Sequence, residues 1–86
     1  MIINPDKTKR PFRALNINYK LPVDLQNDID EYIDYLNNSE YLSAEEGYRT
    51  YIDCDLNWAK SHQELTEDKI KELRDYYVRG GIYNNG

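Results

Sequence analysis

Leu25, Ile29, Tyr32, Ile33 and Leu36 recur three and four residues apart, the spacing that gathers side chains on one face of an α-helix. Pro22 suits the first turn, Asp24 places a carboxylate near the positive end, and Asn37 and Asn38 suit the stop. The pattern predicts a helix over 22–37. An apolar stripe of this kind must be buried against other elements. In a chain of 86 residues there is room for one core, so the remainder must cover this helix. Leu, Ile, Val and Phe number 19, or about 22%, just above the ~20% below which charged chains stay disordered. One folded domain over 1–86 is expected.

Two further helices follow from similar signals. Ser43-Ala-Glu-Glu46 reads as a capping box, with serine at the cap and glutamate three residues on. A helix over 44–61 aligns Ala44, Tyr48, Tyr51, Ile52, Leu56 and Ala59, with Glu45 and Glu46 at its positive end and Lys60 at its negative end. Gly47 and Asp55 resist it, the first by about 1 kcal/mol of helix propensity and the second by falling within the apolar arc. The competing strand over 48–56 would place Tyr48, Thr50, Ile52, Cys54 and Leu56 on one face. Thr66 caps a third helix over 66–79, Leu65 is placed to staple against Ile70, and Ile70, Leu73 and Tyr77 form its inner stripe. Gly80 and Gly81 stop it.

The front of the chain reads differently. Residues 1–11 are polar and basic, with Pro5 and Pro11 setting an extended arm or loop. Leu15, Ile17, Tyr19 and Leu21 then alternate with Asn16, Asn18 and Lys20, predicting a strand over 12–21 with one covered face. Its partner would be residues 1–3 or 81–83. The expected fold class is mainly α, a three-helix small domain with an N-terminal extended segment or short strand. It becomes α+β if 48–56 are a strand.

Charge is segregated along the chain. Residues 1–20 carry a net +4, residues 21–68 a net −11 and residues 69–86 a net +2. An acidic middle between basic ends implies partial self-neutralisation and local acidic surface. No run approaches the ~18 apolar residues of a membrane span, and the Met-Ile-Ile-Asn-Pro start lacks a signal-peptide core. A cytoplasmic protein without membrane partners is expected.

Enzyme signatures are missing. A single Cys54 cannot form an internal disulfide, and a single His62 cannot fill a usual zinc site. On one helix these two residues would lie about 12 Å apart, too far to share a proton, and a lone cysteine reads as a small buried hydrophobe. No phosphate-binding glycine loop or hydrolase motif is present. The chain is read as non-enzymatic and without cofactor. One metal spacing stands out. Asp53, Asp55, Asn57 and Glu64 occupy positions 1, 3, 5 and 12 of a calcium-binding loop of the EF-hand kind. Trp58 replaces its turn glycine, however, and Lys60 its aliphatic position.

The first helix holds the most usable surface. Opposite its stripe lie Asp24, Asn27, Glu31, Asp34 and Asn38, flanked by Asp28 and Tyr35, and no lysine compensates them. Ordinary exposed faces mix both signs. Glu45, Glu46 and Asp53 would extend this field, and Tyr35 and Tyr41 would add anchoring area. Fixed carboxylates can imitate the phosphate line of nucleic acid toward a basic cleft. In size, charge and missing catalytic motifs the chain resembles small phage or mobile-element inhibitors such as anti-CRISPR proteins, although it carries no sequence pattern of a family. That resemblance implies an acidic inhibitor whose partner is a basic protein surface, on a nuclease or another nucleic-acid-binding enzyme. The lesser alternative is direct nucleic-acid binding through Lys7, Lys9, Arg10, Arg13, Lys69, Lys71, Arg74 and Arg79, with helices two and three as a helix-turn-helix.

Overall fold

In the computed structural model, which describes residues 12–39 and 43–83, three helices follow an extended N-terminal segment. They are α1 (Val23–Asn38), α2 (Glu45–Ser61) and α3 (Glu67–Leu73). A wide π turn over Arg74–Val78 prolongs α3, and a 3-10 turn over Gly81–Tyr83 follows. The fold is mainly α, as the periodicity predicts.

Helix α2 is central, packing against α1 on one side and against α3 and the π turn on the other. Leu25, Ile29, Tyr32 and Leu36 of α1 meet Ile52, Leu56 and Ala59 of α2 in one buried cluster with Ile70, Leu73, Tyr76, Tyr77 and Ile82. The strand reading of 48–56 is corrected here. Apolar residues four apart in α2 serve a helical neighbour, and Thr50 and Cys54, on the supposed inner face of that strand, are exposed. Tyr51 departs from the expected stripe as well, at 66% exposed.

The start of α2 also differs. Ala44 is its cap residue and makes no side-chain cap bond, so the predicted capping box does not form. The Ala44 N–H donates to the Tyr35 hydroxyl at 2.9 Å, so a tertiary contact satisfies one of the free amides at the start of the helix. At α3 the local expectation is met, with the Lys69 N–H donating to Thr66 Oγ1 at 3.4 Å and both Leu65 and Ile70 buried.

Residues 12–21 form no strand, and no strand exists among the described residues. Residues 81–83 curl into a turn and offer no edge; residues 1–3, the other suggested partner, and the basic arm 1–11 lie outside the described residues. The alternation nevertheless reports burial correctly. Leu15, Ile17, Tyr19 and Leu21 are covered to varying degrees, while Ala14, Asn16, Asn18 and Lys20 are exposed. Side chains replace the ladder. The Phe12 N–H donates to Asn37 Oδ1 at 2.6 Å, and Asn37 Nδ2 donates back to the Phe12 carbonyl at 3.1 Å. The Leu15 N–H donates to the Tyr77 hydroxyl at 2.9 Å, and the Tyr76 hydroxyl donates to the Arg13 carbonyl.

The π turn gives those tyrosines their positions. Its widened ladder, closed by the Arg79 N–H on the Arg74 carbonyl at 3.0 Å, buries the consecutive Tyr76 and Tyr77 together, edge to face at 4.8 Å. Widened turns of this type are rare and change which side chains face the core. The chain then reverses at Gly80, whose φ of +88° lies in the left-handed region. Gly81 passes so close that an added Cβ would sit 2.8 Å from the Asp75 carbonyl oxygen. This reversal drives Ile82 into the core at 0% exposed.

Candidate functional site

The carboxylates of α1 divide by depth. Asp24, Asp30, Glu31 and Asp34 are exposed, and Asp28 is half-buried. Asp30 and Asp34 draw polar contacts from the helix itself. Gln26 Nε2 donates to Asp30 at 2.9 Å, and Asn38 Nδ2 donates to Asp34 Oδ1 at 2.7 Å. Among the described residues no lysine or arginine forms an ion pair with any of these five. Glu31 and Asp34 border a shallow groove with Tyr35 and Tyr48.

Carboxylates elsewhere are treated differently. Arg49 holds Glu45 at 2.6 Å, Lys60 reaches Glu67 at 3.5 Å, and Arg74 holds Asp53 at 2.7 Å. Lys71 and Arg79 flank Asp75 at 3.3 and 3.6 Å. Among the described residues, the self-neutralisation expected from the segregated charge therefore falls on α2, α3 and the π turn and not on α1.

Two residues expected in the outer acidic field belong to the interior. Glu45 is the hub of a polar cluster, accepting from the Tyr32 hydroxyl at 2.9 Å, from Arg49 and from the Tyr83 hydroxyl. Burial, together with the adjacent Glu45, pushes the Tyr32 phenol up to about 12 despite the opposing Arg49, and drives Tyr83 higher still. Tyr35 is half-buried, lies 4.8 Å from the Tyr48 ring and holds the Ala44 amide. Glu46 stays exposed. Tyr41 lies outside the described residues.

The residues of the calcium-loop spacing do not form a loop. Asp53, Asp55 and Asn57 stand on a continuous helix, where alternate residues point about 200° apart and cannot converge on one ion. Asp53 and Asn57, one turn apart, face the π turn, where Arg74 binds both at 2.7 Å. Glu64 lies beyond the helix in the turn toward α3. No group of three or more His, Cys, Asp or Glu side chains among the described residues is arranged to hold a metal.

Asp55 turns the other way, toward α1. It faces Asp28, and its Oδ2 is buried without a hydrogen-bond partner. Burial and the neighbouring carboxylates of Asp28 and Asp24 push its carboxyl up to about 7. Beside it opens a groove of about 480 Å³ between the start of α1, the outer face of α2 and the α2–α3 turn. Val23, Asp24, Cys54, Asp55, Trp58 and Glu64 line it. Cys54 is exposed there, contrary to the buried position expected of it. Sequence reasoning missed this groove because Trp58 appeared only as a misfit in a calcium loop. Its place off the apolar arc of α2 was the available signal.

Comparison with known proteins returned no matching family, no matching characterised protein and no matching solved structure. No described helix is long and apolar enough to cross a membrane.

Proposed function

We propose that this chain is a non-enzymatic interaction protein: an acidic inhibitor that occupies a basic, nucleic-acid-binding surface of a partner protein. One observation carries the reading. The exposed carboxylates of α1 lack cationic partners among the described residues, in a molecule that pairs Glu45, Asp53, Glu67 and Asp75. A rigid helix places these groups one to two turns apart, about 5–10 Å, and leaving them unneutralised favours encounter with a cationic groove. The setting in which such a protein works, a cytoplasm invaded by a phage or mobile element, is part of the same proposal. The rival use of the basic end on nucleic acid has less support, because Lys71, Arg74 and Arg79 already engage carboxylates.

The test is displacement of a labelled DNA duplex from a panel of nucleases and other DNA-binding enzymes. The expected result is competition that weakens as salt rises and disappears in the double variant Glu31→Lys, Asp34→Lys. Undiminished competition by that variant, or none by the native chain against any enzyme, overturns the reading.

A further inference from the structure

The three large hydrophobic side chains most exposed among the described residues are Val23 at 70%, Tyr51 at 66% and Trp58 at 64%. Val23 and Trp58 line the groove beside Asp55. Tyr51 lies two turns before Trp58, on the same face of α2. Aromatic residues exposed together beside a concavity mark binding surfaces more often than isolated ones do. The groove volume of about 480 Å³ falls within the ~300–1,000 Å³ of ligand-sized sites.

Charge selects the occupant. Asp24, Asp55 and Glu64 line the same groove, and none has an ion pair with a described lysine or arginine. Asp55 Oδ2 is buried there without a hydrogen-bond partner. Trp58 is held in orientation by His62, whose ring stacks on it at 4.0 Å and whose Nδ1 lies 3.0 Å from the Trp58 carbonyl oxygen. A partly apolar groove with an indole in its wall and unpaired carboxylates around it matches one side-chain chemistry. A guanidinium stacks on aromatic rings and bonds carboxylates through a planar fork, and an ammonium does the first less well.

We infer that the groove between the start of α1 and the outer face of α2 anchors an arginine-bearing segment of the partner protein, with Trp58 as the stacking surface and Asp24 and Glu64 as charge partners. The inference rests on the reading of the partner as basic, and it assigns the anchor to a place distinct from the outer face around Glu31 and Asp34. Asp55 gives the site a pH signature. The groups facing it are Asp24 and Asp28 of α1, with Glu64 lining the same groove and His62 stacked on Trp58. A bound guanidinium stabilises the ionised carboxylate, so binding expels its proton and tightens as pH rises toward 8.

The probe is hexa-arginine amide titrated into the intact chain at physiological salt, with hexa-lysine amide alongside. Trp58 is the only tryptophan, so its fluorescence reports the groove, and the alkylation rate of Cys54 supplies a second signal. Saturable quenching, protection of Cys54 and preference for arginine are expected. Affinity should fall about tenfold in Trp58→Ala and about tenfold in Asp24→Asn, Glu64→Gln. It should stay within about threefold in Glu67→Gln, Asp68→Asn, which removes equal charge elsewhere. All substituted side chains are exposed, and circular dichroism verifies folding. Equal losses in both charge variants, no preference for arginine, or no quenching overturns the inference. So does concentration-dependent dimerisation through Trp58, which would place a second copy in the groove. Because no partner enzyme is used, a negative result here leaves the duplex-displacement result standing, and the reverse also holds.

Discussion

Asp55 of α2 faces Asp28 of α1 across the helix seam, its Oδ2 buried without a hydrogen-bond partner. Burial and the neighbouring carboxylate disfavour the charged form of Asp55, so its proton stays on up to about pH 7. Asp24, one turn before Asp28, adds to the repulsion. Asp55 is thus the acidic residue expected to spoil the apolar arc of α2, and protonation is how the helix accommodates it.

This pair makes stability depend on pH with a defined sign. Asp55 titrates near 3.8 when unfolded and is pushed up to about 7 in the fold. Its contribution is therefore complete below the unfolded value and is lost as pH rises through about 7. Replacing Asp55 with Asn keeps a donor and removes the charge. Urea titrations should find Asp55→Asn more stable than the native chain at pH 8, with the advantage shrinking toward pH 4. An advantage independent of pH would disprove the raised titration of Asp55.

The Glu45 cluster should behave as a unit. Glu45→Ala strands the Tyr32 and Tyr83 hydroxyls and the partly buried Arg49, so a loss of about 2–4 kcal/mol is expected in urea unfolding. Tyr32→Phe deletes the hydroxyl that donates to Glu45 and accepts from Arg49 Nε, while the Glu45–Arg49 pair survives, and should cost only about 1 kcal/mol. A double variant less destabilised than the sum would show the coupling.

Glycines separate local from tertiary demands. An added Cβ at Gly47 meets nothing within 4 Å, so Gly47→Ala should stabilise α2 by about 0.5–1 kcal/mol. Gly81→Ala would press into the Asp75 carbonyl at 2.8 Å and should destabilise the fold. Opposite shifts in thermal midpoint are the expected reading, and equal shifts would contradict the reversal described for residues 80–82.

Calcium should leave the fold unaffected. Asp53 and Asn57 are bound by Arg74, and a ligand that binds only the native state must raise its melting temperature. Melting curves with calcium and with chelator should coincide. A rise of several degrees with calcium would revive the loop reading.

What the sequence by itself determined is what repeats locally. The 3.6-residue period of Leu25, Ile29, Tyr32 and Leu36, the cap at Thr66 and the alternation over 15–21 each report a side chain's direction relative to its own backbone. Those elements and their covered faces were legible. Tertiary structure decided who meets whom. That Tyr76 and Tyr77 replace a strand partner for residues 12–15, that Ile82 enters the core, and that Arg74 takes Asp53 are not local facts. Nor is the division among the acids, by which Glu45 turns inward and Asp55 faces Asp28 while Glu31 and Asp34 stay exposed. A carboxylate's fate depends on which donor or charge arrives from a distant segment, and the spacing of residues along the chain holds no record of that.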